Sequence, residues 1–299
     1  MTKRIGYLYL FLSMLIFSTM EVSGKFISND LHPLQINYLR FLLGGLTLLP
    51  FTISHIKTSG IKLSAKDIWA MVCLGILLVP ISMTLFQFSI FYTKASTTAV
   101  LISCNAIFTA PLSYLILKEK IDKYIVVSLI SGLLGIIIIA VPSSSMSFND
   151  LIGISLGAAS SVTFSLFNVL GKKIIQKVGS FTLNTLSFLF GSAAMIPVLL
   201  FSGVPLFYGL TRFSLFYLLY IGVVVTALAY ILMFKGFEVL PLNAGSLVFF
   251  GKPVFAGILS YMLLKETFSA KFLFGSILIM IGILLVIVRK NTASASKIN

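Results

Sequence analysis

Charge is what this sequence lacks. Only 10% of its 299 residues are Asp, Glu, Lys or Arg, where a soluble domain carries about 25%. A chain this poor in charge cannot cover a water-facing surface. Acidic residues are the scarcest, 8 against 22 Lys and Arg, which leaves a net charge of +14. There are only two cysteines, Cys73 and Cys104. Both fall in apolar runs, which excludes a disulfide framework and a thiolate metal centre. The two histidines, His32 and His55, stand at helix ends without the clustered partners a metal needs. A Ser/His/Asp set and a phosphate-cradling glycine loop are also missing, so neither catalysis nor a cofactor is expected.

What is present is hydrophobic sequence: 58% of residues, with a mean hydropathy of +1.08. A helix needs about 20 apolar residues to cross a bilayer, and the chain supplies such runs over 6–27, 33–56, 67–92, 95–117, 121–141, 150–172, 179–202, 212–236, 242–264 and 269–288. The pattern predicts an all-α membrane protein of ten transmembrane helices in the lipid bilayer. The first run is too long for a signal peptide and lacks a small-x-small cleavage site. Lys and Arg number 15 on the side of the N-terminus and 4 on the other. Both termini are therefore expected to be cytoplasmic, and the basic excess to hold topology, with no nucleic acid as partner.

The chain also repeats itself. A shift of 147 residues sets Val22, Gly24, Lys25 and Ile27 on Val169, Gly171, Lys172 and Ile174. The same shift sets Asn37, Leu39, Phe41, Leu42 and Gly44 on Asn184, Leu186, Phe188, Leu189 and Gly191, and Gly75 on Gly222. It also brings Leu112, Ser113, Tyr114, Leu117, Lys118 and Glu119 onto Leu259, Ser260, Tyr261, Leu264, Lys265 and Glu266. The expected organisation is one five-helix unit over 1–142, a second over 148–290, and a cytoplasmic tail over 291–299. Five is odd, so the second unit must enter the membrane from the opposite side. An inverted repeat of this kind is the signature of secondary transporters, whose central site is exposed alternately to each face.

Leu39-Arg40-Phe41, Pro253, and the Leu-Lys-Glu ends at 117–119 and 264–266 carry a resemblance. With them the chain resembles the drug/metabolite transporter superfamily, in particular its ten-helix members built from two EamA domains. The resemblance implies a membrane transporter of a small-molecule substrate, with export as the direction.

Polar residues inside the spans need an internal partner or a function, because a charge in lipid costs several kcal/mol. Helical spacing puts Ser18, Glu21 and Lys25 on one face of span 1, matched by Ser165, Asn168 and Lys172 in span 6. Asn37, Arg40 and Gly44 share a face of span 2, and Thr98, Asn105 and Thr109 one of span 4. Gln87, Thr226 and Tyr230 add polarity in spans 3 and 8, and Lys252 precedes Pro253 in mid-span 9. These stripes predict a polar cavity whose substrate-binding candidates are Glu21, Lys25, Asn37, Arg40, Gln87, Asn105, Asn168, Tyr230 and Lys252.

Matched depth predicts a Glu21–Arg40 bridge, with Glu21–Lys25 as a second pairing. Lys252 is expected to face the cavity or reach Glu21, with Pro253 freeing the carbonyl of residue 249. Three membrane cations against one carboxylate make the cavity electropositive, which suits a substrate carboxylate such as that of an amino acid. An organic-cation site at Glu21 and an intramembrane lipid enzyme are the competing readings. Glu119 and Glu266 read as structural, each complementing the dipole of the next helix. Spans 5 and 10 carry little beyond aliphatic residues, Ser and Gly. They are expected to form the outer wall, with Ser128, Gly132 and Gly135 allowing close packing. That face could also serve a homodimer, so the protein is read as monomer or homodimer.

Overall fold

In lipid no water bonds the backbone, so each segment must satisfy its own N–H and C=O groups, which helices do. The computed structural model describes residues 3–140 and 147–265, with 270–271, 274–275, 277–282 and 284; it is helical, with no strand among the described residues. Helix α1 (Lys3–Ile27) is followed by α2 (Pro33–Ser59), α3 (Ala65–Tyr92), α4 (Ala95–Leu117) and α5 (Lys123–Ala140). The stretch Phe148–Phe201 is 54 residues, roughly 80 Å of helix. It is interrupted at Gly179, where φ 78 and ψ 160 are open to glycine but strained for other residues. That break yields α6 (148–178) and α7 (180–201). Helices α8 (Arg212–Val239) and α9 (Leu242–Leu264) follow. Much of the expected span over 269–288 lies outside the described residues.

Several helices are discontinuous near mid-length. Helix α1 turns at Ser18–Thr19, and α4 breaks at Cys104, between Ala95–Ser103 and Asn105–Leu117. Helix α9 tightens to a 3-10 turn over Ser246–Gly251 before Lys252. The carbonyl of Phe249, expected to be freed by Pro253, accepts from Lys252 N instead. A tighter i+3 bond replaces the one proline removes. Helices α3 and α8 widen to π-helical segments at Leu77–Met83 and Tyr220–Leu228.

Contacts recur at positions one repeat apart. Ser13 donates to Ala229 O at 2.8 Å, and Ser160 to Ser82 O at 2.8 Å, tying α1 to α8 and α6 to α3. Ser18 donates to Lys252 O at 3.4 Å and Ser165 to Asn105 O at 2.7 Å. Lys25 Nζ holds Ile90 O and Thr93 O, each at 3.0 Å, at the end of α3. Lys172 Nζ holds Phe237 O and Leu240 O at the end of α8. Each ammonium thus meets the carbonyls a helix C-terminus leaves open. Lys25 is therefore a helix cap, and not a partner of Glu21. Counterparts also touch each other: Phe41 and Phe188 stack edge to face with centroids 5.0 Å apart, and Tyr230 Oη contacts Met83 Sδ at 3.6 Å.

Leu117 ends α4, Lys118 takes the left-handed conformation at φ 54, and Glu119 turns back across the molecule. Its carboxylate accepts from Leu242 N at 2.8 Å and Asn243 N at 2.9 Å, so it caps α9 and not the next helix in sequence. Asp122 does that for α5, accepting from Tyr124 N and Ile125 N. Glu266 lies outside the described residues. Helix α5 exposes Val126, Val127, Ile130 and Leu134. Its small residues turn inward: Gly132 lies against the Phe250 ring and Gly135 against Gly275, with Ser128 buried. These small residues thus serve packing within the chain.

Candidate functional site

The interruptions in α1, α4 and α9 surround one cavity. Its polar lining comes from Arg40, Asn105, Tyr230, Lys252 and Ser103. The rest of the wall is apolar, Ile102 together with the aromatic and thioether side chains of Phe17, Phe164, Phe249, Phe86, Met20 and Met83. Several of these are counterparts one repeat apart, among them Phe17 with Phe164, Met83 with Tyr230, and Asn105 with Lys252. The wall is not symmetric, however. Met20, Arg40 and Phe86 line it, while their counterparts Phe167, Ser187 and Met233 do not. The space therefore extends toward the end of the bundle where α1 runs into α2. The other end is filled by Phe167, Phe234 and Phe237, with centroids 5.7 and 6.0 Å apart along the series.

At the cavity wall Lys252 Nζ pairs with Glu21 Oε1 at 2.5 Å. Glu21 has no exposed surface and Lys252 is 6% exposed. The bridge expected between Glu21 and Arg40 is thus made with Lys252 instead. Lys252, which the sequence also allowed to reach Glu21, takes that place because α9 closes on α1 at that level. Arg40 lies within electrostatic reach of the pair and makes other contacts. Its Nε donates to Asn37 Oδ1 at 3.4 Å, its Nη1 meets Met20 Sδ at 3.3 Å, and its guanidinium lies 4.5 Å from the Phe41 ring centroid. Its Nη2 is buried with no hydrogen-bond partner among the described residues. Two cations thus face one carboxylate, and the unmatched charge is on Arg40.

The remaining candidates divide. Asn105 and Tyr230 line the cavity, and Tyr230 also forms the hub of an aromatic cluster, edge to face with Phe17, Phe41 and Phe188. Asn37 supports the site, donating to Val79 O at 2.8 Å and Thr84 Oγ1 at 3.0 Å while its oxygen receives Arg40. Gln87 and Asn168 are buried away from the lining, each with an amide oxygen lacking a partner among the described residues. The apolar wall is what polar-residue reading missed. Phe17 and Phe164 look like any core aromatics, and only their matched repeat positions could have singled them out.

The profile of the EamA-like transporter family matches residues 4–141 and again 151–288. The chain belongs to the EamA-like transporter family. This family lies within the drug/metabolite transporter superfamily, so the resemblance of the Leu-Arg-Phe and Leu-Lys-Glu motifs holds, and the protein is a multi-pass transporter of the cell membrane. A transporter of Clostridium kluyveri, named as uncharacterized, is 38% identical over 93% of this chain and 91% of its own length. An S-adenosylmethionine uptake transporter of Rickettsia prowazekii is 24% identical, covering 98% of this EamA-like chain and 95% of its own. A crystal structure aligns with TM-score 0.75 at 14% identity over 98% of this chain and 99% of that one, a likeness of fold.

Proposed function

We propose that this EamA-like transporter moves a small carboxylate-bearing metabolite of the amino-acid class by alternating access, the carboxylate lying against Arg40. The observation that carries the reading is the unpartnered, buried Nη2 of Arg40 at the cavity wall. A buried guanidinium nitrogen without an acceptor costs free energy until an anion arrives. Arg also presents the forked donor geometry that suits a carboxylate. Lys252, beside it over the Phe86 ring at 5.1 Å, is shared between Glu21 and the incoming anion. The aromatic and thioether wall suits an apolar side chain. The Rickettsia relative is named for a substrate that carries an amino-acid group, which supports the class. That relative is named for uptake, while the superfamily resemblance implies export. Flux measured in both directions in proteoliposomes decides between them.

The architecture proposed with this function is ten spans in two inverted five-helix units, both termini cytoplasmic. Its support is the set of contacts recurring 147 residues apart, as between Met83 and Tyr230. An organic-cation site at Glu21 is less favoured, because that carboxylate already holds Lys252.

The test is a thermal-shift and binding screen of the purified protein against amino acids, organic acids and organic cations, repeated on Arg40→Met. A ligand that binds the folded state raises its stability by mass action. Losing a charged hydrogen bond should weaken carboxylate binding about 10- to 150-fold, for roughly 1.5–3 kcal/mol. Unchanged carboxylate affinity in a folded Arg40→Met protein would refute the reading, as would selective binding of cations by the wild type.

A further inference from the structure

We infer that the substrate is a zwitterion whose ammonium group is received by the amide oxygens of Asn105 and Asn168. The inference rests on the carboxylate reading above and adds the second pole. Asn105 lines the cavity and is 4% exposed, and its Oδ1 has no hydrogen-bond partner among the described residues. Asn168 does not itself line the cavity, as Glu21 does not on the other side; it is 2% exposed, and its Oδ1 is equally without a partner among the described residues. An unmet buried carbonyl costs free energy, and two in one neighbourhood are uncommon in a native interior.

Their position gives the pair its meaning. Asn105 is the repeat counterpart of Lys252, and Asn168 that of Glu21. In one half of the molecule these positions hold a buried ammonium against a buried carboxylate at 2.5 Å. In the other half both charges are replaced by amides and the ammonium is missing. The surrounding backbone is kept: Ser165 Oγ donates to Asn105 O at 2.7 Å, as Ser18 Oγ donates to Lys252 O at 3.4 Å. Asn168 stands three residues after Ser165, on the same face of α6. Helices α4 and α6 therefore approach as α9 and α1 do, leaving two acceptors where the other half supplies its own ammonium.

A ligand ammonium placed there completes the arrangement that Lys252 completes opposite. Its carboxylate then falls toward Arg40, across the cavity that both Asn105 and Arg40 line. A neutral amide pair also explains selection for a zwitterion over a simple cation. Two amide dipoles hold an ammonium only when a counter-charge, here the substrate's own carboxylate, is met nearby.

The experiment compares apolar L-amino acids (leucine, methionine, phenylalanine) with their deaminated acids in binding to the purified full-length protein. The wild type should bind the amino acids at least about tenfold more tightly, the lower bound for a charged hydrogen bond. Asn105→Leu and Asn168→Leu should bind both series alike, while Asn105→Asp should widen the preference for the amino acids. Equal binding of the two series by the wild type would overturn the ammonium site and leave the Arg40 reading standing. Binding of neither series would overturn both. Stabilisation by sodium chloride over potassium chloride without amino acid would assign the amide oxygens to a metal cation and also overturn the proposal.

Discussion

Glu21 and Lys252 are where single side chains carry most of the free energy at stake. Removing one member of a buried ion pair leaves the other uncompensated, at a cost of about 3–5 kcal/mol, whereas removing both can be close to neutral. Glu21→Gln and Lys252→Met should each lower the unfolding temperature sharply, and the double variant should recover most of the loss. Additive losses would show that the pair is not coupled. A second residue-scale effect lies outside the spans. The Nδ1 of His32 accepts from Leu34 N at 3.3 Å, capping α2, and the ring packs edge to face on Phe88 at 5.9 Å. Desolvation holds its pKa below the usual 6.5. Below pH 6.5 the unfolded chain takes up a proton that the folded state resists, so stability should fall as pH drops through this range and be flat above it. His32→Asn, which keeps a cap without titrating, should lessen that slope in thermal unfolding measured from pH 5 to 8.

At the scale of elements, the two ends of the bundle are fastened by one device used twice. Lys25 and Lys172 reach the last carbonyls of α3 and α8, but Lys172 is 6% exposed while Lys25 is half-buried. Water can replace the Lys25 ammonium and cannot easily replace that of Lys172. Lys172→Met should therefore destabilise by about 1–3 kcal/mol, the cost of unmet buried acceptors, and Lys25→Met by clearly less. Unfolding of the two variants side by side measures the difference, and an equal loss would contradict it. The Leu-Lys-Glu end at 117–119 shows how a motif can be structural and still be misassigned. A carboxylate after a helix complements some N-terminus nearby, but only the folded chain brings α9 to Glu119.

The whole molecule sets where solvent can enter. The cavity reaches toward the α1–α2 end and aromatic rings fill the other. Under the proposed orientation, with both termini cytoplasmic, that end faces outward. On a background lacking Cys73 and Cys104, a cysteine at the exposed Tyr208 should label in intact cells, and one at Ser59 only after permeabilisation. A cysteine at Ser103, on the cavity wall, should react with a small reagent from outside and be protected by substrate. The reverse pattern at 59 and 208 would invert the orientation.

Composition alone determined the class, because a chain with so few charges can cover itself only with lipid. Apolar run length placed most of the helices, since it acts locally, while the break at Gly179 came from the structure. Arg40, Asn105, Tyr230 and Lys252, which the polar stripes singled out, line one cavity, because a polar group in an apolar helix must turn from lipid. Tertiary structure alone decided the partners: Glu21 with Lys252 and not Arg40, Lys25 with α3, Glu119 with α9. The aromatic wall, too, appeared only in the fold. Ion pairing and caps depend on distances between helices remote in sequence. An apolar residue facing a cavity has the same signature along the chain as one facing lipid or core, so those assignments waited for the packed molecule.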